Sequence, residues 1–186
     1  QRQMCIRDSS LPINEKFIIS IRGLNFKSSK ELFYKYYQTD LEFKKIKDEK
    51  NQMVFDYIIS HGIPVKEGLY ELLDFLKKNK IKIALATSSS RAVANKYLEL
   101  AGIDSYFNAK VFGDEVSKGK PDPEIFLKAL AKLQLTCDES IVLEDSKNGI
   151  NAALSAGIRP LWIPDGVYFE TKAKRLKSLK EVIKEF

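Results

Sequence analysis

Residues 65–186 alternate between short apolar runs and amphipathic helical segments, and this alternation limits the possible folds more than any other feature. The expected strands are at residues 81–86, 109–113, 141–144 and 159–163, and the expected helices are at 66–79, 91–101, 122–135 and 147–156. Near-continuous apolar runs of strand length are typical of parallel strands that are covered on both faces. We therefore predict an α/β fold in which a parallel sheet carries helices on both faces.

The segment 11–64 has a different pattern and is predicted to be helical throughout. Clusters of apolar and aromatic residues at 13–21 and 29–37 predict two helices. Thr39 and Glu42 have the spacing of a capping box and predict the start of a third, longer helix. No strand pattern is visible in this part, so we expect a small helical domain before the α/β domain.

Residues 1–10 show neither helical nor strand periodicity. The first nine residues, QRQMCIRDS, resemble the translation of sequencing-adapter read-through at the end of an assembled fragment. We therefore interpret residues 1–10 as non-native sequence and expect that the biological start of the protein is missing. The genomic locus would contradict this interpretation if it encoded the same segment in frame after a normal start.

Charge and hydropathy exclude several classes of protein. The chain has 31 basic and 25 acidic residues, which gives a net charge of +6, but the lysines are spread along helical segments rather than clustered. This distribution does not favour nucleic-acid binding. No apolar run approaches the roughly 18 residues that a membrane span requires, and the two cysteines are too few for a disulfide framework. We expect a cytoplasmic monomer without nucleic-acid or membrane partners.

Ligands of parallel α/β sheets bind beyond the carboxyl ends of the strands, so the residues at these ends are the candidate site. Thr87-Ser88-Ser89-Ser90 follows the first strand, and its hydroxyl and N–H groups could hold an anion at a helix N-terminus. The alternative is that these residues only cap the helix.

Lys120 precedes a proline, and a proline disfavours the helical conformation for the residue before it. This restriction would hold the Lys120 ammonium in a fixed position, where it could pair with a phosphate. The alternative, a solvated loop lysine, is favoured for Lys118.

Glu144 and Asp145 follow the third strand directly. Two adjacent carboxylates at the end of an apolar strand are unfavourable if they are buried without a partner. A hard cation such as Mg²⁺ is a suitable partner, because it prefers oxygen ligands and leaves room for phosphate oxygens. The alternative is that one carboxylate caps the following helix.

These segments resemble three motifs of the haloacid dehalogenase superfamily, in the order and spacing of that family. They are ALATSSSR, GKPDPEIF and IVLEDSKNGINAALSAG. The resemblance runs from about residue 11 to residue 186, and the helical segment 11–64 is similar to the cap of the branch that includes beta-phosphoglucomutase and sugar-phosphate phosphatases. The resemblance implies a Rossmann-like core, here residues 65–186, with a partial, all-helical cap.

The resemblance also implies roles for the core residues. Thr87 would hydrogen-bond the transferring phosphoryl group, and Ser88 and Ser89 would contribute backbone N–H groups. Lys120 would balance charge between phosphoryl oxygens and the nucleophilic carboxylate. The implied mechanism is positioning with electrostatic stabilisation, which dominates phosphoryl transfer in general.

The implied cofactor is Mg²⁺, which Asp145 would ligate directly and Glu144 directly or through water. In the cap, Arg22 and Lys50 are candidate substrate contacts, and Lys50 stands where the beta-phosphoglucomutase branch carries a lysine. For both cap residues, the alternative of an ordinary exposed charge is favoured.

The first motif of the family, an apolar strand followed by Asp-x-Asp-Gly, is not found in the sequence. That motif supplies the carboxylate that becomes an aspartyl phosphate and the general acid/base two residues later. In this superfamily its strand lies in the middle of the sheet, between the strands that here end at Ala86 and Glu144. We therefore expect a sheet without its central strand, and a chain that is poorly stable and inactive.

Three functions remain for the intact protein. The first is a Mg²⁺-dependent phosphatase of small phosphorylated metabolites such as sugar phosphates. The second is a phosphomutase, which is less favoured because Leu24-Asn25-Phe26 lacks the arginine that the mutase has after the corresponding glycine. The third is a domain without catalytic activity that binds phosphorylated ligands or a partner protein.

Overall fold

The computed structural model describes residues 14–186 and has an α/β fold with parallel strands, as predicted. The interpretation of residues 1–10 lies outside the described residues. The helices are α1 Glu15–Ser20, α2 Phe26–Tyr37, α3 Phe43–His61, α4 Leu69–Lys78, α5 Arg91–Leu100, α6 Glu124–Leu133 and α7 Lys147–Ser155, with 3₁₀ turns at Asp104–Tyr106 and Leu179–Glu185. The strands are β1 Ala84–Ala86, β2 Ala109–Val111, β3 Ile141–Glu144, β4 Arg159–Trp162 and β5 Lys174–Arg175. None of the helices in the described part is long and apolar enough to cross a membrane.

The strands form two separate parallel groups. β1 pairs with β2, so that Ala84 lies opposite Ala109, and β3, β4 and β5 pair in that order, so that Ile141 lies opposite Arg159. Within residues 14–186, no strand lies between β1 and β3. β1 and β3, the strands between which the sequence predicts a further strand, thus belong to different groups.

Two apolar clusters cover the strands. The first contains Ile125 and Phe126 of α6 and Ala152 of α7, packed with Val111 of β2 and Val142 of β3. The second cluster is formed by residues of α4, β4 and the C-terminal 3₁₀ turn, namely Leu72, Leu76, Leu161, Leu179 and Val182. These clusters place helices on the strands as the predicted architecture requires, and they leave the carboxyl ends of the strands free to form a site.

The first three helices form a cap with its own aromatic core. Phe17, Phe33 and Phe43, one from each helix, are all buried. The ring centroids of Phe17 and Phe33 lie 6.1 Å apart, and those of Phe33 and Phe43 lie 5.1 Å apart. Because each helix contributes one of these rings, the cap packs as a unit beside the α/β core.

Two local predictions were wrong. α3 begins at Phe43 rather than after Thr39, and the Thr39 hydroxyl accepts a hydrogen bond from the N–H of Leu41, so the predicted capping box does not form. The sequence also predicts a capping box at Ser178 and Glu181 for a short C-terminal helix, but Leu179–Glu185 is a 3₁₀ turn and Ser178 makes no side-chain cap bond. The Thr39 hydroxyl bonds to a neighbouring backbone group, and the Ser178 hydroxyl makes no cap bond. The spacing of residues in the sequence does not determine which of these bonds a short hydroxyl side chain makes.

Candidate active site

The carboxyl ends of β1 and β3 open into a cavity of about 950 Å³ between the core and the cap. The core residues of the predicted site all line it, namely Thr87, Ser88, Ser89, Lys120, Glu144 and Asp145. On the cap side, α3 and the loop between α1 and α2 complete the wall. Residues that are far apart in sequence thus meet in one space, because parallel strands bring their carboxyl ends to the same edge.

Thr87 and the serines after it are held in place by backbone bonds to the second strand. The N–H of Thr87 donates to the carbonyl of Val111 at 3.1 Å, so the β1–β2 ladder continues directly into the site. A Cβ atom on Gly113 would lie 2.2 Å from the carbonyl oxygen of Ser88, so this close approach requires glycine. The Thr87 hydroxyl accepts from the N–H of Ser89 at 3.2 Å. This geometry fixes the hydroxyl and amide groups at the strand end.

The Ser88 side chain contacts the cap. Its hydroxyl donates to the carbonyl of Gly23 in the α1–α2 loop at 2.5 Å. Asn148, at the start of α7, donates to the carbonyl of Arg22 in the same loop at 2.8 Å. The α1–α2 loop is therefore tied to two strand ends of the core, and the hydroxyl of Ser88 serves the cap contact in this structure.

Lys120 links the ends of the two strand groups. Its side chain is 5% exposed, and its ammonium donates to the carbonyl of Ala86 at 3.2 Å. The same ammonium forms an ion pair with Glu144 and lies 4.8 Å from the centroid of the Phe126 ring. The interpretation of Lys120 as a rigidly held cation thus agrees with its contacts, whereas a solvated loop lysine would be exposed.

Neither Glu144 nor Asp145 caps α7. The cap is Ser146, whose hydroxyl accepts from the N–H of Gly149 at 3.0 Å. The alternative in which an acidic residue caps the helix therefore does not apply. Glu144 packs so tightly against Gly149 that a Cβ atom there would lie 2.1 Å from the carboxyl carbon. Asp145 is the more open of the two, with its side chain 36% exposed.

These carboxylates are the part of the site that could hold a metal ion. Within the described residues, no group of three or more Asp, Glu, His or Cys side chains could form a metal site. Mg²⁺ is commonly bound by one or two carboxylates, while water and substrate phosphate complete its coordination. The donor set fits such an ion: Asp145 is open toward the cavity, and Glu144 is neutralised by Lys120.

Arg22, a candidate cap contact to substrate, binds two core carboxylates in this structure. Its guanidinium donates to Asp145 at 3.0 Å and to Asp165 at 2.9 Å, and Lys66 lies 3.4 Å from Asp165. Burial tends to raise the pKa of Asp165, but Lys66 and Arg22 outweigh it and hold that pKa below its usual range. Arg22 thus connects the cap to the candidate metal ligand.

Lys50, the other cap candidate, does line the cavity, and its ammonium donates to the amide oxygen of Asn51 at 3.2 Å. Two further lysines of α3, Lys44 and Lys47, line the same cavity and were not predicted. Burial and the neighbouring Lys50 lower the pKa of Lys47. The spacing of three between these lysines, which places side chains on one helical face, could have indicated them.

Asp114 is a further residue of the cavity that sequence analysis missed. Its carboxylate accepts a hydrogen bond from the N–H of Arg91 at 3.1 Å and so gives a partner to a backbone N–H group in the first turn of α5. Ser90, the adjacent cap residue, makes no side-chain cap bond. A carboxylate from a different loop therefore performs the capping that the alternative interpretation assigned to the residues after β1.

Comparison with known sequences identifies relatives of the chain. A sequence model described as haloacid dehalogenase-like hydrolase matches residues 3–163. The phosphorylated carbohydrates phosphatase of Thermotoga maritima is 36% identical over 156 residues, which cover 84% of this chain and 66% of that protein. Beta-phosphoglucomutase of Bacillus subtilis is 36% identical over 130 residues, which cover 69% of this chain and 56% of that protein. The chain thus spans two thirds or less of the length of these relatives.

A solved structure agrees with this relationship. Beta-phosphoglucomutase from Clostridium difficile superimposes with a TM-score of 0.80 and 25% sequence identity, covering 97% of this chain and 85% of that chain. The shared region includes both the helical cap and the α/β core, since it covers nearly all of the chain.

Proposed function

The chain belongs to the haloacid dehalogenase-like hydrolase family, and from this premise we propose that the intact protein is a Mg²⁺-dependent phosphatase of small phosphorylated metabolites such as sugar phosphates. One observation carries the proposal: Thr87, Lys120 and Asp145, from three separate loops at the strand ends, line a single cavity. A hydroxyl, a cation and an open carboxylate are the groups that position a phosphate and neutralise its charge. The similarity to a phosphatase of phosphorylated carbohydrates supports the same substrate class.

Each core residue has a part in this proposal. Thr87 would hold a phosphoryl oxygen through its hydroxyl, which accepts from the N–H of Ser89 in this structure, and the N–H of Ser88 would add to the anion site. Lys120 keeps positive charge at the strand end, where the pair with Glu144 fixes its position. Asp145 holds the metal with Glu144 beside it, and when bound, Mg²⁺ neutralises charge on the phosphate.

We propose that the nucleophilic carboxylate comes from an apolar strand that lies between β1 and β3. The four carboxylates that line the cavity in the described part already have partners, since Asp48 pairs with Lys44, Asp114 caps α5, Glu144 pairs with Lys120 and Asp145 pairs with Arg22. The sides of the cavity include Leu85 and Leu143, apolar residues of β1 and β3 that such a strand would cover. For this reason we expect residues 1–186 alone to be inactive.

A phosphatase fits the α1–α2 loop better than a mutase does. The side chain of Asn25 is 3% exposed and accepts from the N–H of Ser28, so that it caps α2. Leu24 and Phe26 line the cavity, but neither can donate a side-chain hydrogen bond to a sugar phosphate. Leu24, Asn25 and Phe26 therefore offer no charged side chain to a sugar phosphate, and the guanidinium of Arg22 in the same loop is bound to Asp145 and Asp165.

The test measures phosphate release from a panel of sugar phosphates with Mg²⁺ or with a chelator. One protein is the 1–186 chain, and the other carries a designed apolar strand ending in Asp-x-Asp-Gly fused before residue 11. A second fusion with Asn in place of the first Asp is the matched control. We expect release only from the Asp fusion with Mg²⁺, and loss of that release in its Asp145→Asn variant.

Three other outcomes of this experiment would contradict the proposal or support one of its alternatives. Robust Mg²⁺-dependent release by residues 1–186 alone would contradict the proposed origin of the nucleophile. Isomerisation that depends on an added bisphosphate would support the phosphomutase instead. Tight binding of sugar phosphates without any turnover by the Asp fusion would support a domain that only binds them.

A further inference from the structure

The loop that carries Lys120, residues 116–121, has almost no backbone hydrogen bonds of its own, and we call it the lysine loop. Within residues 14–186, no N–H group of residues 116–120 donates to a backbone carbonyl. One turn bond, from the N–H of Asp122 to the carbonyl of Gly119 at 3.1 Å, closes the end of the loop. Segments with few protected backbone bonds are among the first parts of a fold to open. Side-chain contacts therefore decide how firmly this loop is held.

Glu124 supplies these contacts from outside the cavity. One oxygen of its carboxylate accepts from the N–H of Ser117 at 3.0 Å. The other oxygen accepts from the hydroxyl of Ser117 at 2.7 Å and from the N–H of Lys118 at 2.8 Å. Glu124 is the first residue of α6, and the next two residues of that helix, Ile125 and Phe126, are buried in the core. The carboxylate thus ties the lysine loop to a fixed element.

The bonds to Glu124 favour its charged form. Lys128, one turn further along α6, forms an ion pair with the carboxylate at 2.7 Å. Lys128 and the donors of Ser117 and Lys118 lower the pKa of Glu124. Donors that lower the pKa of a carboxyl group bind the ionised form better than the protonated form. Hydrogen bonds to an ionised group are also stronger than neutral ones, so the loop is held by strong bonds.

The lysine loop contacts two other parts of the molecule. The Lys120 ammonium reaches the strand ends, where it donates to the carbonyl of Ala86 and pairs with Glu144. Gly119, the preceding residue, lies against the cap, since a Cβ atom there would lie 2.6 Å from the side-chain Cγ of Asn25. A shift of the loop would therefore disturb both the cation at the strand ends and the seat of the cap.

We propose that Glu124 is a positioning residue, whose carboxylate fixes the lysine loop and thereby holds the Lys120 ammonium at the strand ends. The inference deepens the proposed function and rests on it for the part that Lys120 has in the reaction. Glu124 does not line the cavity, so it acts only through the loop. Glutamine cannot replace it, because both carboxylate oxygens accept backbone N–H groups and an amide has only one acceptor oxygen.

The test measures how well the Lys120 amine is protected. The 1–186 chain is treated with an amine-acetylating reagent, and mass spectrometry follows the acetylation rate of each lysine. Glu124→Gln should raise the rate at Lys120 about tenfold or more, which is the effect of losing one hydrogen bond to a charged group. Lys47, a half-buried lysine of the cap, is the internal reference and should keep its rate. A general loosening of the fold would raise both rates.

Lys128→Gln is the matched control for Glu124→Gln. It removes the ion pair but leaves the carboxylate bound to the loop, so Lys120 should stay protected. Ser117→Ala removes only the hydroxyl bond and should raise the rate at Lys120 alone, by a smaller factor. Thermal melting of the three variants checks that each is folded, and Ser117→Ala provides the test if Glu124→Gln does not fold.

The NMR signal of the Lys120 ammonium protons gives a second measurement. Such protons are detected when their exchange with water is slow, as it is in a buried ion pair. We expect the signal in wild type and in Lys128→Gln, and we expect its loss in Glu124→Gln while the amide signals of the core remain. A lower melting temperature of Glu124→Gln with an unchanged ammonium signal would overturn the inference, because Glu124 would then act on stability alone.

Equal acetylation of Lys120 in wild type and Glu124→Gln would also overturn the inference, as would an equal rise at Lys120 and Lys47. An equal rise in Lys128→Gln and Glu124→Gln would do the same, because the ion pair rather than the loop bonds would then be responsible. Neither measurement depends on turnover, so the two proposals can fail separately. Absence of phosphate release from the Asp fusion, with Lys120 still protected through Glu124, would overturn the reaction and leave the positioning of Lys120 standing.

Discussion

Lys120 and Glu144 form an ion pair in which both side chains are almost completely removed from water, with 5% and 8% of their areas exposed. The pair lies where β1 and β3 end, and Lys120 also donates to the carbonyl of Ala86. In the described part of the chain, no strand joins these two ends. This pair is therefore a main polar connection across the break in the sheet.

Breaking this pair from one side should destabilise the protein strongly. Glu144→Gln keeps the shape of the side chain but leaves the Lys120 ammonium buried without a counter-charge, which typically costs about 3–5 kcal/mol. Urea denaturation without added metal measures the loss. The double variant Glu144→Gln with Lys120→Met should recover part of it, because no buried charge then remains unpaired.

The exposed pair Lys44–Asp48 is the control for this experiment. Asp48→Asn should hardly change the free energy of unfolding, because both side chains are in water. If Glu144→Gln were as mild as Asp48→Asn, the buried pair would not hold the two strand groups together.

Gly149→Ala should destabilise the protein even though alanine favours helix formation. Gly149 lies within α7, where alanine is better than glycine by about 1 kcal/mol. The added Cβ would lie 2.1 Å from the carboxyl carbon of Glu144, so the buried carboxylate would have to move. Thermal unfolding compares this variant with Asn151→Ala, an exposed position of the same helix that should be neutral or slightly stabilising. A gain in stability from Gly149→Ala would contradict the observed packing.

Gly23→Ala should loosen the contact between the cap and the core. Gly23 has φ +77°, and an added Cβ would lie 2.4 Å from the hydroxyl oxygen of Ser146. Gly102→Ala is the matched control, because Gly102 has φ +65° and nothing within 4 Å of the added atom. In both variants alanine must adopt a left-handed backbone conformation, which is strained for it. Only in Gly23→Ala does the added Cβ also clash with the Ser146 hydroxyl. We expect faster amide exchange in α1 and α2 for Gly23→Ala alone, and equal exchange in the two variants would refute this.

The Arg22–Asp165 contact should weaken in acid. The pKa of Asp165 lies below its usual range, because Lys66 and Arg22 outweigh the effect of burial. A carboxyl group whose pKa is lower in the folded state stabilises that state above its unfolded pKa, and this stabilisation is lost as the pH falls through the folded pKa. The melting temperatures of wild type and Asp165→Asn should therefore differ near pH 7 and converge below about pH 4.

Asp40→Asn provides the reference for this pH series, since the side chain of Asp40 is exposed. The melting temperature of Asp40→Asn should stay close to that of wild type from pH 7 to below about pH 4. A difference for Asp165→Asn that grows as the pH falls would contradict the ion-pair explanation.

Local sequence patterns predicted much of the fold because they follow from burial. β3 occupies 141–144 as predicted, since its apolar run is covered by helices. α5 begins at Arg91 as predicted, but the carboxylate that satisfies its start is Asp114, 23 residues later. The short strand β5, Lys174–Arg175, was missed because both of its residues are exposed and charged. Its pairing with β4 depends on backbone bonds, which leave no hydrophobic pattern.

The residues of the candidate site were likewise predictable only in part. Residue types at the strand ends indicated Thr87, Lys120, Glu144 and Asp145, because parallel strands bring such ends together whatever the remaining structure. Lys47 was missed because a lysine on a helix is ordinarily solvated. Only the packing of α3 with α2, which brings the Phe26 ring beside Lys47, makes it a half-buried cation.

The sequence by itself determined the α/β architecture, the order of the elements and the chemistry at the strand ends, because periodicity and residue type are local properties. The tertiary structure alone decided which charges are paired. It joined Lys120 to Glu144, paired Arg22 with Asp145 and Asp165, and placed the Lys47 ammonium beside the rings of Phe26 and Phe43. Pairing depends on distance and burial between residues far apart in the chain, and these are set only when the cap packs against the core.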